Sequence, residues 1–157
     1  MVERHAVVYP DEFGYAPVFE TYVIKSTIPF LERHDTKREA LWIAELGGER
    51  VGSIAIHADP ERPGWAKLRW VLLEKKARGI GLGKRLMATA LRFARKAGYT
   101  GVHLLTVDDL TDARRLYVAF GFTRTWVDSE PCPWAPWGRE ETWELLFKAR
   151  PMTRRQP

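Results

Sequence analysis

The sequence predicts an α+β domain, a mixed sheet with helices on its faces. Three observations carry this prediction. Two aliphatic runs flank Gly47-Gly48 as the arms of a β-hairpin would. A strand-like run, Ala66 to Glu74, passes through a glycine-rich loop into a long amphipathic stretch. A further strand-like run, Gly101 to Val107, leads into a short helical stripe. At 157 residues with 45% hydrophobic content, the chain suits one soluble domain with one core. That domain is expected over residues 1–149, followed by a basic, flexible tail over 150–157.

Taken in order, Ala6 to Tyr9 reads as a short first strand, and Pro10 to Gly14 as a turn cluster. Between Tyr15 and Arg33, Pro17 and Pro29 each suit the first turn of a helix, so two short helices are expected. Phe19, Tyr22 and Val23 would share a face of the first. The hairpin comprises Glu39–Leu46 and Arg50–Asp59. In the strand Ala66–Glu74, Leu68, Trp70 and Leu72 alternate onto one face and Lys67 and Arg69 onto the other. From Leu82 to Ala97, Leu86, Met87, Ala90, Leu91 and Ala94 recur at helical spacing, and Gly98 stops the helix. Thr111 is the expected N-cap of the next helix, with Asp112 in its first turn. That helix stripes Ala113, Leu116, Tyr117 and Phe120 and ends at Gly121. Thr123–Asp128 reads as a strand, Ser129–Glu140 as a loop with three prolines, and Glu141–Ala149 as a last strand.

Composition excludes several classes. No apolar run reaches the roughly 18 residues that span a bilayer, and the N-terminal stretch is too polar and acidic for a signal peptide. Cys132 is the single cysteine, so no internal disulfide can form and a reducing, cytoplasmic setting is expected. His5, His34, His57 and His103 show no metal-ligand spacing, and no metal is expected. Net charge is +5, from 25 basic and 20 acidic residues. Eight of the basic residues lie between Lys75 and Val107, a stretch without any acid, and Arg150, Arg154 and Arg155 lie in the tail. A phosphorylated small molecule explains the first cluster as well as nucleic acid does, and no nucleic-acid motif is present.

The chemistry concentrates in Leu72–Leu86, LLEKKARGIGLGKRL. Gly79, Gly81 and Gly83 remove side chains where backbone approaches a ligand, and the helix from Leu82 aims its N-terminus at the same point. Lys75, Lys76, Arg78, Lys84 and Arg85 surround that point with positive charge. It is not a P-loop, because Arg85 stands where the magnesium-binding hydroxyl would be. It is not the dinucleotide fingerprint, because the third glycine comes one residue early. The pattern that fits is R-x-x-G-x-G, met by Arg78, Gly81 and Gly83. It resembles the pyrophosphate signature of the GNAT superfamily of acyl-CoA N-acyltransferases. The run from Ala113 through Tyr117 to Gly121-Phe122 resembles that family's second landmark, A-x-x-x-Y-x-x-x-G-F. KLRWVLLEKKARGIGLGKRL, ARRLYVAFGF and Thr142–Leu145 together resemble the acetyltransferase half of MarR–GNAT fusion proteins. One position departs: Leu110 stands where many members have asparagine.

The resemblance implies a largely antiparallel central sheet with helices on both faces. It also implies an N-acetyltransferase that uses acetyl-CoA as co-substrate and acts by direct attack of a primary amine in a ternary complex. Backbone groups of Val71, Leu72 and Leu73 would pair with pantetheine as an added strand does. The loop Arg78, Gly79, Ile80, Gly81, Leu82, Gly83 and Lys84 would hold the pyrophosphate. By the resemblance Tyr117 takes the general-acid position, whereas periodicity alone favours a core tyrosine. For the general base, Glu45, His57, His103 and Asp108 stand beside a chain of waters, and none is assigned. Trp134, Trp137 and the aromatics from Phe13 to Phe30 line an acceptor pocket or form ordinary core. The acceptor is a small-molecule or protein amine, and a homodimer is compatible with the pattern. A non-catalytic acyl-CoA sensor or scaffold is the alternative, and nucleic-acid binding ranks last.

Overall fold

The computed structural model describes residues 1–148. Two helices come first, α1 (Val2–Phe13) and α2 (Val18–Arg33), followed by β1 (Ala40–Leu46), β2 (Glu49–Ala58) and β3 (Trp65–Leu73). A 3-10 turn at Lys75–Ala77 leads into α3 (Leu82–Lys96), then β4 (Gly101–Val107), α4 (Thr111–Ala119), β5 (Thr123–Cys132) and β6 (Ala135–Leu146). The six strands form one sheet in the order β1-β2-β3-β4-β6-β5. Every pairing is antiparallel except β3 with β4. The α+β class with helices on both faces is what the sequence predicts.

The hydrophobic core divides along the sheet. On one face Met87, Ala90, Leu91 and Ala94 of α3 pack on Ile54, Ile56, Leu68, Val102 and Leu104, with Tyr117 and Phe122 joining them. On the other, Tyr15, Phe19, Val23 and Phe30 pack on Ala55, Trp70 and Val107. Leu68 and Trp70 are two residues apart yet lie in opposite clusters, contrary to the alternation expected of this strand. A bulge explains it. The β2–β3 register shifts between Ser53 and Ala55, and Trp70 takes φ 50°, turning the strand over at that residue.

Four elements differ from the sequence expectation. Ala6–Tyr9 lies inside α1, where His5 and Val8 are buried at helical spacing and Gly14 closes the helix in the left-handed conformation. Pro29 does not start a new helix. Phe19, Val23, Thr27 and Phe30 form one continuous buried stripe on α2, and Pro29 is exposed, so the carbonyl it frees faces water. Leu110, not Thr111, is the N-cap residue of α4. Ser129–Glu140 is a hairpin end, with β5 and β6 turning between Cys132 and Ala135. Pro131 fits because β5 is the sheet edge and its pairing shifts register three times, Pro133 lies in the turn, and Pro136 lies on β6 before the residues that pair with β4. The last strand ends at Leu146, and the expected tail lies outside the described residues.

The β3–β4 pair positions everything that follows. It is bonded only from Trp65, Ala66 and Lys67 to Gly101, Val102 and His103. Beyond Lys67 the two strands part, leaving backbone edges and a gap in the middle of the sheet.

Candidate active site

Two cavities occupy that gap. One, of about 200 Å³, lies between β3, α3 and α4 and is lined by Val71, Leu72, Leu73, Arg78 and Gly83 among others. The second, of about 100 Å³, is lined by aromatic residues of α1 and α2, by β3 and β4, and by Tyr117, Trp134 and Glu140. Tyr9, Val71 and Leu110 line both, so the cavities meet at those residues.

The glycine loop reaches the first cavity at Arg78 and Gly83, and its other residues, Gly79 to Leu82 and Lys84, do not line it. Gly79 and Gly81 have φ 78° and 82°, a conformation that resists side chains. Gly83 is helical, and a Cβ there would meet Leu73 and Leu116 at ordinary contact distance, so its lack of a side chain leaves groove space rather than relieving strain. No side chain caps α3, and its first internal bond runs from the Arg85 amide to the Gly81 carbonyl. The amides of Leu82, Gly83 and Lys84 therefore point outward with the positive end of the helix dipole. Ile80 is exposed, and Leu82 packs against the small cluster of Ala44, Val51 and Ala77. Arg78 reaches back to the Leu73 carbonyl at 2.9 Å and pairs with Glu12 of α1 at 2.8 Å. The Tyr9 hydroxyl donates to the Val71 carbonyl at 3.0 Å.

Tyr117 is 4% exposed and projects from α4 into the second cavity. Burial pushes its phenol up to about 12. Thr106 lies beside the phenol and offsets part of that rise, yet the contact falls short of hydrogen-bond geometry and Thr106 Oγ1 has no partner among the described residues. Trp134 stacks on Tyr22 at 4.4 Å over the same cavity, whereas Trp137 is 94% exposed and lines neither.

None of the four expected base candidates lines either cavity. Glu45 is exposed near Arg50, His57 is packed between Phe30 and Trp70, and His103 is bonded to Asp59 at 2.8 Å. Asp108 accepts from the Arg139 amide. The polar groups that do line the second cavity include Glu140, Arg69 and His5. Burial, followed by Asp128, raises the Glu140 carboxyl above its ordinary value. Arg69 donates to the Tyr22 hydroxyl at 3.1 Å. Glu140 and His5 went unseen in the sequence because Glu140 reads as loop and His5 precedes an apparent strand. The usable signal was the four-residue spacing of His5 and Tyr9, which places both on one helical face. Among the described residues no group of three His, Cys, Asp or Glu side chains converges as a metal site would.

A sheet that opens beside an uncapped, glycine-bearing helix N-terminus, with one cavity on each side of the opening, offers an anion-binding mouth and room for two reactants to meet. Comparison with known proteins agrees. Residues 8–122 match the family model described as Acetyltransferase (GNAT) family. The chain belongs to this family. N-acetyltransferase 8B of Mus musculus is 34% identical over 113 residues, covering 70% of this chain and 47% of the relative. An uncharacterized N-acetyltransferase of Schizosaccharomyces pombe is 28% identical over 117 residues, covering 74% of this chain and 71% of the relative. The chain thus spans about half the length of the mouse protein. Among solved structures, an acetyltransferase of the GNAT family from Staphylococcus aureus superposes with TM-score 0.73 at 17% identity, over 94% of this chain and 91% of that one. An acetyltransferase of Bacillus anthracis in complex with acetyl coenzyme A gives TM-score 0.62 at 23% identity, over 76% of this chain and 69% of that one. Among the described residues no helix is long and apolar enough to cross a membrane.

Proposed function

We propose that this domain transfers the acetyl group of acetyl-CoA to a primary amine by direct attack in a ternary complex. The observation that carries the reading is the meeting of the two cavities at Tyr9, Val71 and Leu110, with the glycine loop on one side and Tyr117 on the other. Val71, Leu72 and Leu73 supply the strand edge for pantetheine. The amides from Gly79 to Lys84, with Arg78, hold the pyrophosphate. The amine nitrogen forms a bond to the thioester carbonyl carbon, the C–S bond breaks, and nitrogen gives up a proton to water. Tyr117, protonated at every physiological pH, donates a proton to the departing sulfur and regains one from solvent. Holding amine and thioester together supplies much of the acceleration.

The acceptor is a small-molecule or protein amine that fits an aromatic-lined cavity. A cytoplasmic setting, a single domain with its tail, and a likeness to the acetyltransferase half of MarR–GNAT fusions complete the reading. Two contacts favour a second reading, an acyl-CoA-binding module without efficient turnover: Tyr9 occupies the Val71 carbonyl and Glu12 occupies Arg78. A thermal-shift series with acetyl-CoA, CoA, ATP and NADP, followed by thiol-release assays on a panel of amines, separates the outcomes. Ligand at about 100 times its dissociation constant stabilises by roughly 2.7 kcal/mol. A shift with the CoA species and thiol release on an amine supports the enzyme. A shift without release on any amine supports the module, and no shift with CoA removes both.

A further inference from the structure

His5 is 3% exposed and lines the second cavity from α1. Its ring stacks on Tyr9, one turn along the helix, with centroids 5.6 Å apart and planes 17° from parallel. Tyr9 is itself tethered to β3 through its bond to the Val71 carbonyl, so the imidazole is held at a fixed place beside the strand opening. Nδ1 lies 3.1 Å from the Met1 carbonyl. A carbonyl only accepts, so Nδ1 carries the proton and Nε2 carries the lone pair. That Nε2 is buried and has no partner among the described residues. Burial holds the imidazole far below its ordinary value, at about 4, so the ring is neutral at physiological pH.

A buried acceptor with nothing to accept is rare, because the unmet group loses its hydration without return. Two of the other polar side chains along this cavity are already paired. Ser26 Oγ donates to the Val23 carbonyl and accepts from Trp70 Nε1, and the Tyr15 hydroxyl donates to Asp109. Thr106 Oγ1, across the cavity on β4 and beside Tyr117, is the other orphan among its lining side chains. Two unmatched polar atoms thus belong to side chains that line one small cavity, one beside the expected acid and one on helix α1.

We propose that His5 is a catalytic residue that receives the acceptor amine, its Nε2 taking an N–H of the incoming nitrogen and fixing that nitrogen at the strand opening. The proposal rests on the acetyl-transfer reading above and adds the group that orients the nucleophile. A neutral acceptor suits this role, because it holds an amine by hydrogen bonding without competing for protonation. The bond forms only when amine is present, so it contributes to amine binding and not to acetyl-CoA binding.

The test uses 2-phenylethylamine as probe, chosen because Tyr15, Phe19, Tyr22 and Trp134 give the cavity aromatic walls. His5→Phe keeps a ring against Tyr9 and removes the acceptor; His5→Gln restores an acceptor oxygen. His5→Phe is expected to lower kcat/KM for 2-phenylethylamine tenfold or more with the KM for acetyl-CoA unchanged, and His5→Gln to recover most of the loss. Full activity in His5→Phe, or equal loss in both variants with a lowered Tm, overturns the proposal. A second readout needs neither variant nor turnover. In CoA-saturated wild-type protein labelled with ¹⁵N-histidine, the Nε2 resonance of His5 is expected to move upfield as 2-phenylethylamine is added. A static resonance overturns the role of His5 and leaves the atom to a buried water. Failure of the wild type to acetylate any amine refutes the acetyl-transfer reading separately.

Discussion

Glu12 Oε2 lies 2.8 Å from Arg78 Nη1, joining helix α1 to the arginine that opens the glycine loop. The carboxylate is nearly buried and the guanidinium about one-third exposed. An anion that approaches Arg78 must therefore share it with a carboxylate already in place. Because the guanidinium still reaches solvent, the pair is taken near the top of the range for exposed pairs, about 0.2–1 kcal/mol. Glu12→Gln is expected to tighten CoA binding by roughly two- to fivefold. Isothermal titration at low and high salt checks this, and the gain should shrink with salt as exposed electrostatics do. Unchanged affinity would mean that the guanidinium does not meet the phosphates.

Gly81 and Gly83 separate two roles that the motif merges. Gly81 has φ 82°, so valine there strains the backbone by about 1–2 kcal/mol before any ligand is considered. Gly83 is helical, with space for a Cβ. Gly83→Val should leave the Tm of the free protein within a few degrees and weaken acetyl-CoA binding at least tenfold, because the side chain fills the groove. Thermal melts with and without acetyl-CoA read both effects in one experiment.

The pattern of Arg78, Gly81 and Gly83 was legible because the loop geometry depends on residue type, and the β1–β2 hairpin was legible because Gly47-Gly48 sets its register. What the sequence concealed was tertiary. Ala6–Tyr9 has β-branched and aromatic residues, yet it is helical, with Val8 buried and Tyr9 packed beside Tyr15 and Phe19. Trp70 alternates correctly in sequence but is turned over by a bulge whose partner lies in β2. Glu140 and His5 come to one cavity from distant parts of the chain, so no local spacing announces them.

Tyr117→Phe keeps the ring in the core and removes the hydroxyl, whose nearest polar neighbour is Thr106. Loss of a general acid lowers turnover by roughly 10²–10⁴-fold. The expected result is that loss in kcat, with acetyl-CoA affinity within about twofold. Because the phenol is held near 12, the wild type should show no alkaline limb from this residue below about pH 11. Undiminished kcat in the variant would remove Tyr117 as the proton donor.

Glu141 is wholly buried and ties α4 to the sheet. Its carboxylate accepts from Arg124 at 2.8 Å and from Trp143 Nε1 at 2.8 Å, and Arg114 Nε of α4 lies 3.2 Å away without hydrogen-bond alignment. Removing one partner of a buried pair costs about 3–5 kcal/mol. Both arginines reach solvent here, so about 2–3 kcal/mol is the better expectation for Glu141→Gln. At roughly 2–4 °C per kcal/mol, Tm should fall by about 4–12 °C. Differential scanning calorimetry checks it. Turnover should fall as well, since α4 carries Tyr117.

Acid stability is set in part by His57, whose ring lies 4.6 Å from that of Phe30 and 4.4 Å from that of Trp70. Burial, reinforced by Arg69, lowers its pKa from 6.5 to about 3. Above pH 6.5 neither the folded nor the unfolded state protonates this group, and stability is unaffected. Below it the unfolded chain binds a proton that the folded protein refuses, so stability falls as pH drops from about 6.5 toward 3. The slope approaches about 1.4 kcal/mol per pH unit. His5, lowered to about 4, adds to the loss over the upper part of the same window. His57→Phe should pack among the same rings and flatten the dependence, so that the gap in stability between pH 7 and pH 5 narrows by about 1–2 kcal/mol. Urea denaturation at the two pH values measures it, and an unchanged gap would assign the acid lability to other groups.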